Sequence, residues 1–336
     1  MKWSGCASVE SLALVLRRTG RSACATGRFR GLYNALMPSR TTERRNTEQR
    51  NPASRKLDRM SALEIVQLMN LEDRGVAGAV ERVLPAIARA VDAIVGAIRK
   101  GGRLIYVGAG SSGRMGVMDA AEIPPTFGVP HEAIRAFIAG GRPAMTGAVE
   151  GAEDAADAGV KALRGARAGR GDVVVGIAAS GTTPYVLGAI EYARARGATT
   201  IAITSNEHMP LAQLAEIAIS VDIGPEVLTG STRLKAGTAQ KMVLNMLSTA
   251  AMVKLGHAYE NLMIDAVMTN EKLERRAVRI LMEASGAEVS AAEDALRAAR
   301  HSMRVALVML RLGVGAAEAK KKLIVAAGDL RKALGE

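Results

Sequence analysis

RLIYVGAGSSGRMG, residues 103–116, and VVVGIAASGTTPYV, residues 173–186, are built alike: an apolar run passes straight into a short loop of glycine and hydroxyl residues. Glycine lets backbone N–H groups close on a ligand with no side chain in the way. Ser111, Ser112, Ser180, Thr182 and Thr183 add hydroxyl donors, and Gly110 and Gly181 complete the candidate phosphate-binding set. A helix that starts after such a loop attracts negative charge at its N-terminus. The repeated strand, hydroxyl loop and helix therefore predict a cradle for an anionic, phosphorylated small molecule. The first loop also satisfies G-x-G-x-x-G through Gly108, Gly110 and Gly113. That pattern alone is a weak dinucleotide signal, and it wants an acidic residue closing the second strand. Here the next strand-like run, 134–138, ends in Ala-Gly-Gly-Arg142 with no acid, which favours a phosphosugar.

Outward from these loops, strand-like runs fall at 103–107, 134–138, 172–177, 199–204 and 217–221, with helical stretches such as 183–194 between them. The alternation predicts an α/β fold, a doubly wound parallel sheet. Ligands of such sheets sit at the carboxyl ends of the strands, where both hydroxyl loops fall. Upstream, Ser61 is placed to cap a helix starting at Ala62, with Glu64 at the capping-box position. A helical pattern follows over 76–100, and Pro85 inside it predicts a kink or a break. From residue 233 onward the pattern is helical: 236–253, 261–284, then 290–300, 303–312 and 316–334. The expected organisation is a basic, disordered leader over 1–46, an arm with helices over 47–93, the phosphosugar-binding domain over 94–257, and a small helical region over 258–336.

Composition narrows the function. Aromatic residues make up only 3% of the 336 residues, which argues against an aromatic platform for sugars or bases. No apolar run approaches the roughly 18 residues of a membrane span. The net charge is +12, but residues 1–46 hold nine of the 45 Lys/Arg and only Glu10 and Glu43 among the 33 acids. The remainder is mildly basic, which suits a small anionic substrate and gives no nucleic-acid footprint. Both cysteines, Cys6 and Cys24, lie in that leader, so the body has neither a disulfide framework nor a thiolate zinc site. His131, His208, His257 and His301 are isolated, and no metal site is expected. The leader reads as an upstream extension with Met37 near the real beginning, although its Arg-rich, Ser-containing composition also resembles a transit segment.

Acidic residues fall beside the cradle. Asp119 and Glu122 lie in DAAEIPPTFG, where Pro124-Pro125 is expected to stop the helix and hold Glu122 close to the first loop. Glu150, Glu153 and Asp154 lie in AVEGAED. Such residues commonly cap helices or face water. A pair in different environments can instead supply the proton acceptor and donor of metal-free acid–base chemistry. EVLTGSTRLKAGTAQK, 226–241, brings Gly230-Ser231-Thr232, Arg233 and Lys235 to the start of a further helix. That start suits an anion, with Ser231 and Lys235 as ligands, and equally suits a capped helix with solvated cations.

TEQRNPAS (47–54), RLIYVGAGSSGRMG, DAAEIPPT (119–126), AVEGAED (148–154), VVVGIAASGTTPYV, TGSTRLKAGTAQKMVLNMLST (229–249) and NLMIDAVMTNEKL (261–273) occur in this order. Taken together, the chain from 47 to about 334 closely resembles the N-acetylmuramic acid 6-phosphate etherases, bacterial enzymes built on a sugar isomerase (SIS) domain. The resemblance implies an SIS domain over 94–257 and a lyase that converts N-acetylmuramate 6-phosphate and water to N-acetylglucosamine 6-phosphate and D-lactate in cell-wall amino-sugar recycling. It also implies Glu122 as proton donor, Glu153 as base, no cofactor, no nucleic-acid or membrane partner, a cytoplasmic location and, by analogy with other SIS folds, a homodimer. There are departures. Members often carry Arg where this chain has Thr182, RKLD at 55–58 is more basic than usual, and the leader has no counterpart. A non-enzymatic sugar-phosphate sensor resembling glucokinase regulatory protein, or a phosphosugar isomerase, would use the same fold.

Overall fold

The computed structural model describes residues 46–336; the expectations for the leader, with Cys6, Cys24 and Met37, lie outside them. Helix α1, Ala62–Glu81, opens on the anticipated capping box: Ser61 Oγ accepts the Glu64 N–H and Glu64 Oε2 accepts the Ser61 N–H at 2.7 Å. The long pattern that follows breaks rather than kinks. A second helix, α2, runs over Leu84–Arg99 with Pro85 in its first turn, where a missing N–H costs nothing.

Five strands follow: β1 Leu104–Gly108, β2 Ile134–Ile138, β3 Val173–Ile177, β4 Thr199–Thr204 and β5 Ile217–Ser220. They lie in the order β2-β1-β3-β4-β5, every pair parallel. Helix α3, Gly110–Phe127, joins β1 to β2, and α4, Ala156–Gly165, precedes β3. Helix α5, Pro184–Ala195, and the short α6, Pro210–Leu214, follow β3 and β4. Helix α7, Lys235–Lys254, comes after the sheet. Leu104, Tyr106, Val173 and Val175 join one core with α2, α3 and α7. On the opposite face, Gly176 packs against Val186 and Ile190 of α5. Both faces are thus covered, which is why β1 and β3 are buried at every residue and read as continuous apolar runs. Each such Leu, Ile or Val contributes about 1.5–3 kcal/mol on burial.

The tail has its own core, including Ile280, Leu281, Leu296, Leu307 and Val308. It comprises α8 Glu271–Ser285, α9 Val289–Ala298, α10 Met303–Leu312, α11 Ala316–Val325 and α12 Leu330–Leu334. Two expected helices are shorter than their patterns. Asn270 caps α8 by accepting the Leu273 N–H, so the helix anticipated from 261 starts ten residues later. Ala327 and Gly328, both with positive φ, divide the last stretch. Among the described residues no helix is long and apolar enough to cross a membrane.

Candidate functional site

The sheet order reverses between β1 and β3, and the open crevice of a doubly wound sheet lies at that switch point, beyond the carboxyl ends of the strands. Both hydroxyl loops leave the sheet there. Gly108 ends β1 so closely against the next turn that a Cβ would lie 2.7 Å from the Gly113 Cα. The chain can therefore enter α3 at once, through Gly110 at φ +51°. Ala109 gives α3 no side-chain cap, and the first intrahelical bond runs from the Gly113 N–H to the Ala109 carbonyl. The N–H groups of Gly110, Ser111 and Ser112 are left without a helical acceptor, beside two half-buried serine hydroxyls. That is the arrangement an anion fits.

The second loop repeats this with other bonds. Gly181 sits at φ +69°, and a Cβ there would lie 2.5 Å from the Met209 Cβ. Ser180 Oγ accepts the Thr182 N–H at 3.2 Å and the Thr182 hydroxyl at 3.1 Å, which leaves the Ser180 proton to donate elsewhere. Helix α5 starts at Pro184 after Thr183, again with no side-chain cap.

The third helix start is different. Glu226, fully buried, reaches the N-terminus of α7, where its two carboxylate oxygens accept the N–H groups of Lys235 and Ala236 at 3.0 Å each. Burial pushes its carboxyl above the usual range, against the pull of those two bonds. The place of an anion is taken by the protein's own carboxylate, while Lys235 is not the solvated cation of the capped-helix alternative. Lys235 is corrected with it: its ammonium lies 2.6 Å from Glu72, with its side chain 5% exposed. It is a buried structural ion pair and not an open cation for substrate. Ser231 stays half-buried at the loop before the helix.

An element that pattern reading missed ties these loops together. Thr47, in the arm before α1, donates its N–H to Asn206 Oδ1 at 3.3 Å. Asn206 Nδ2 in turn donates to Thr47 Oγ1 at 3.2 Å and to the Ala179 carbonyl at 3.0 Å. The Thr47 carbonyl accepts the Gly230 N–H. Both Thr47 and Asn206 are buried. The signal available in advance was the short TEQRNPAS segment, whose partner lies 159 residues away.

The carboxylates are treated unequally. Glu153 lies in a 3-10 turn, Ala152–Asp154, packed against α5. The loop leading to it is fastened to α3, since Arg114 donates to the carbonyls of Ala144 at 2.9 Å and Gly147 at 2.8 Å. Glu153 stands exposed on that turn, with Glu150 and Asp154 beside it. Glu122 is not brought there. Helix α3 runs through Pro124-Pro125 to Phe127 and ends at Gly128 in the left-handed region. The expected stop fails because Ile123, Pro124 and Phe127 are buried and the Pro125 carbonyl accepts the Val267 N–H. Twelve residues of helix beyond Gly110 carry Glu122 about 18 Å from the cradle of its own chain. There it is exposed, 3.5 Å from Lys241. Asp119 is an internal group: its carboxylate accepts the Tyr106 hydroxyl at 2.8 Å and the Ser248 hydroxyl at 3.2 Å, and burial raises its pKa. Among the described residues no group of His, Cys, Asp and Glu side chains is gathered so as to hold a metal ion.

Residues 86–194 match the family model of the glucokinase regulatory protein N-terminal SIS domain, and residues 155–250 match the SIS domain. A Serratia proteamaculans protein named N-acetylmuramic acid 6-phosphate etherase is 56% identical over 288 residues, covering 86% of this chain and 97% of that protein. One of the same name from Pectobacterium atrosepticum is 53% identical, covering 86% of this chain and 95% of that protein.

Proposed function

The chain belongs to the N-acetylmuramic acid 6-phosphate etherases, and from that premise we propose how its own residues divide the reaction. The substrate is N-acetylmuramate 6-phosphate, and the products are N-acetylglucosamine 6-phosphate and D-lactate. The observation that carries the proposal is the pair of helix starts without side-chain caps, α3 and α5, on either side of the switch point, with the turn that bears Glu153 packed against α5. The 6-phosphate sits across those starts, on the Gly110 backbone and the hydroxyls of Ser111, Ser112, Ser180 and Thr183, while Gly181 and Thr182 hold the second loop in shape. Ser231 lines the third side.

An unactivated ether resists hydrolysis, so the chemistry goes through the aldehyde. Ring opening exposes the C1 carbonyl, which acidifies the hydrogen on C2. Glu153 removes that proton. Lactate, carried on C3 and therefore beta to the carbonyl, leaves as Glu122 protonates its oxygen. Water then adds to the unsaturated aldehyde at C3, and the ring closes. Each proton transfer assisted in this way is worth roughly 10²–10⁴-fold in rate, and the grip on the remote phosphate positions the reacting carbons. The enzyme is by this account a carbon–oxygen lyase, acting in the cytoplasm in cell-wall amino-sugar recycling.

Glu122 lies too far along α3 to serve the cradle of its own chain, so the proposal includes a homodimer in which a second copy completes the site. The outer face of α1 supports it, with Leu63, Val66 and Leu71 each more than half exposed, an apolar strip that a second copy would cover. Thr182 in place of the arginine common among etherases exchanges a cation for a hydroxyl, and the phosphate then rests on neutral donors and helix N-termini. Release of D-lactate from N-acetylmuramate 6-phosphate by the purified protein tests the reading. An isomerase or a sugar-phosphate sensor on the same fold releases none, so absence of lactate overturns it.

A further inference from the structure

The opposite, amino edge of the sheet carries a second concavity, of about 640 Å³. Its walls bring together Lys100, Arg103, Arg164, Arg167, Arg170 and Arg196, with Asp172 the only carboxylate there among the described residues. Asp172 is already spent on construction. Its Oδ1 accepts the Arg103 backbone N–H and Nε, and its Oδ2 accepts Arg103 NH2 at 2.7 Å and the Gly169 N–H. Arg103 also donates to the carbonyls of Ala166 and Arg167. The loop 166–172 is thus locked against the start of β1. The seam is so tight that a Cβ on Gly102 would lie 1.8 Å from the Gly171 carbonyl oxygen. On this fixed frame Lys100, Arg164, Arg167, Arg170 and Arg196 are all exposed, and among the described residues none has an acidic partner.

Helix ends account for part of this charge. Helices α2, α4 and α5 all finish at this edge, and a helix C-terminus presents about half a negative charge that favours a cation nearby. Three such ends offset about one and a half of the five charges left once Asp172 has paired with Arg103. The surplus is gathered round a hollow, where low-dielectric walls focus the field and raise the local concentration of anions. The hollow lies within the roughly 300–1,000 Å³ of small-molecule sites, and its concave shape does not follow a duplex backbone. The half-buried ring of Tyr192 forms one wall, with the Arg164 guanidinium 6.0 Å above it.

We infer that this amino-edge hollow is a second anion site, for a small polyphosphorylated molecule bearing three or more negative charges. It is separate from the phosphosugar cradle, since the five-residue strands hold the two edges about 15 Å apart. The test is calorimetric titration of the full chain with inorganic tripolyphosphate, repeated at higher salt. The expected result is saturable binding of one molecule per chain that weakens as salt rises. Arg167→Ser/Arg170→Ser should lower the affinity by about tenfold or more, the cost of losing charge-assisted bonds. Arg167→Lys/Arg170→Lys should keep most of it, and Ser112→Ala/Ser180→Ala in the cradle should leave it unchanged. A parallel titration with ATP separates the two sources of such a chain. Equal affinity assigns the phosphates alone, and tighter binding lost in Tyr192→Ala assigns a nucleotide; either supports the site. Absence of saturable binding overturns it. So does binding that survives the double serine variant, binding lost with the cradle hydroxyls, or binding confined to long nucleic acid.

Discussion

Three helices, α3, α5 and α7, begin at the carboxyl edge of one sheet, each after a segment rich in glycine and hydroxyl residues, and only two of the starts are open. At α3 and α5 no side chain caps the first turn. At α7 the buried carboxylate of Glu226 occupies the place an anion would take. The physics of the helix terminus is the same in all three; what differs is whether the protein supplies its own anion. A loop that looks fit for phosphate is therefore a site only where no internal carboxylate reaches it.

The largest effects should come from the groups assigned to chemistry at the open edge. Glu153→Gln is expected to lower D-lactate release by roughly 10²–10⁴-fold and to stop exchange of the C2 hydrogen with solvent deuterium. Glu122→Gln should lose lactate release to a similar degree while still allowing that exchange, because proton removal precedes departure of the leaving group. NMR of deuterium incorporation in both variants decides the matter. Normal exchange in Glu153→Gln together with none in Glu122→Gln would reverse the two roles.

The closed start is tested through stability. Glu226→Ala removes two bonds to a charged acceptor and strands two buried N–H groups, at a cost of about 3 kcal/mol in denaturant unfolding. A loss indistinguishable from an ordinary surface substitution would mean that α7 is not closed by this carboxylate. The pH dependence carries a sign. Burial raises the Glu226 pKa above 4.5, so the folded chain binds a proton that the unfolded chain has released. Its contribution to stability is fullest below 4.5 and declines as pH rises through the raised value. Glu226→Gln should flatten that part of the profile.

The open starts are tested through affinity. Ser112→Ala and Ser180→Ala should each weaken substrate binding by about 1.5–3 kcal/mol if each hydroxyl donates to a charged phosphate oxygen. Ser231→Ala, beside the closed start, should cost less. Equal losses at all three positions would erase the distinction between open and closed.

What could be read in advance follows the range of the interaction. β2 and β4 match their apolar runs to the residue and the other three strands to within one; for the inner strands β1, β3 and β4 this is because a strand covered on both faces writes its burial into consecutive residues. The two hydroxyl loops were legible as the segments that follow β1 and β3 directly. Glu226 was not, since it stands nine residues before Lys235 and lacks the spacing of a local cap. Nor was the passage of α3 through Pro124-Pro125, which depends on burial and on a bond from Val267. The displacement of Glu122 follows from that passage.

The smallest expected effect concerns the clasp that links an open start to the closed one. Thr47 joins them through a single residue: its carbonyl holds the Gly230 N–H before α7, and its side chain and N–H hold Asn206, which holds the Ala179 carbonyl next to Ser180. Thr47→Val keeps the shape and removes one neutral acceptor, a change of about 1 kcal/mol. Asn206 retains its bond to Ala179, so the second loop should loosen without collapsing. The substrate KM should then rise several-fold with kcat nearly unchanged, because the phosphate end is gripped less firmly while Glu153 is untouched. Thr47→Ser restores the hydroxyl and should restore KM. A fall in melting temperature with KM unmoved would leave the clasp holding the fold and not the cradle, and the open and closed starts would then act independently.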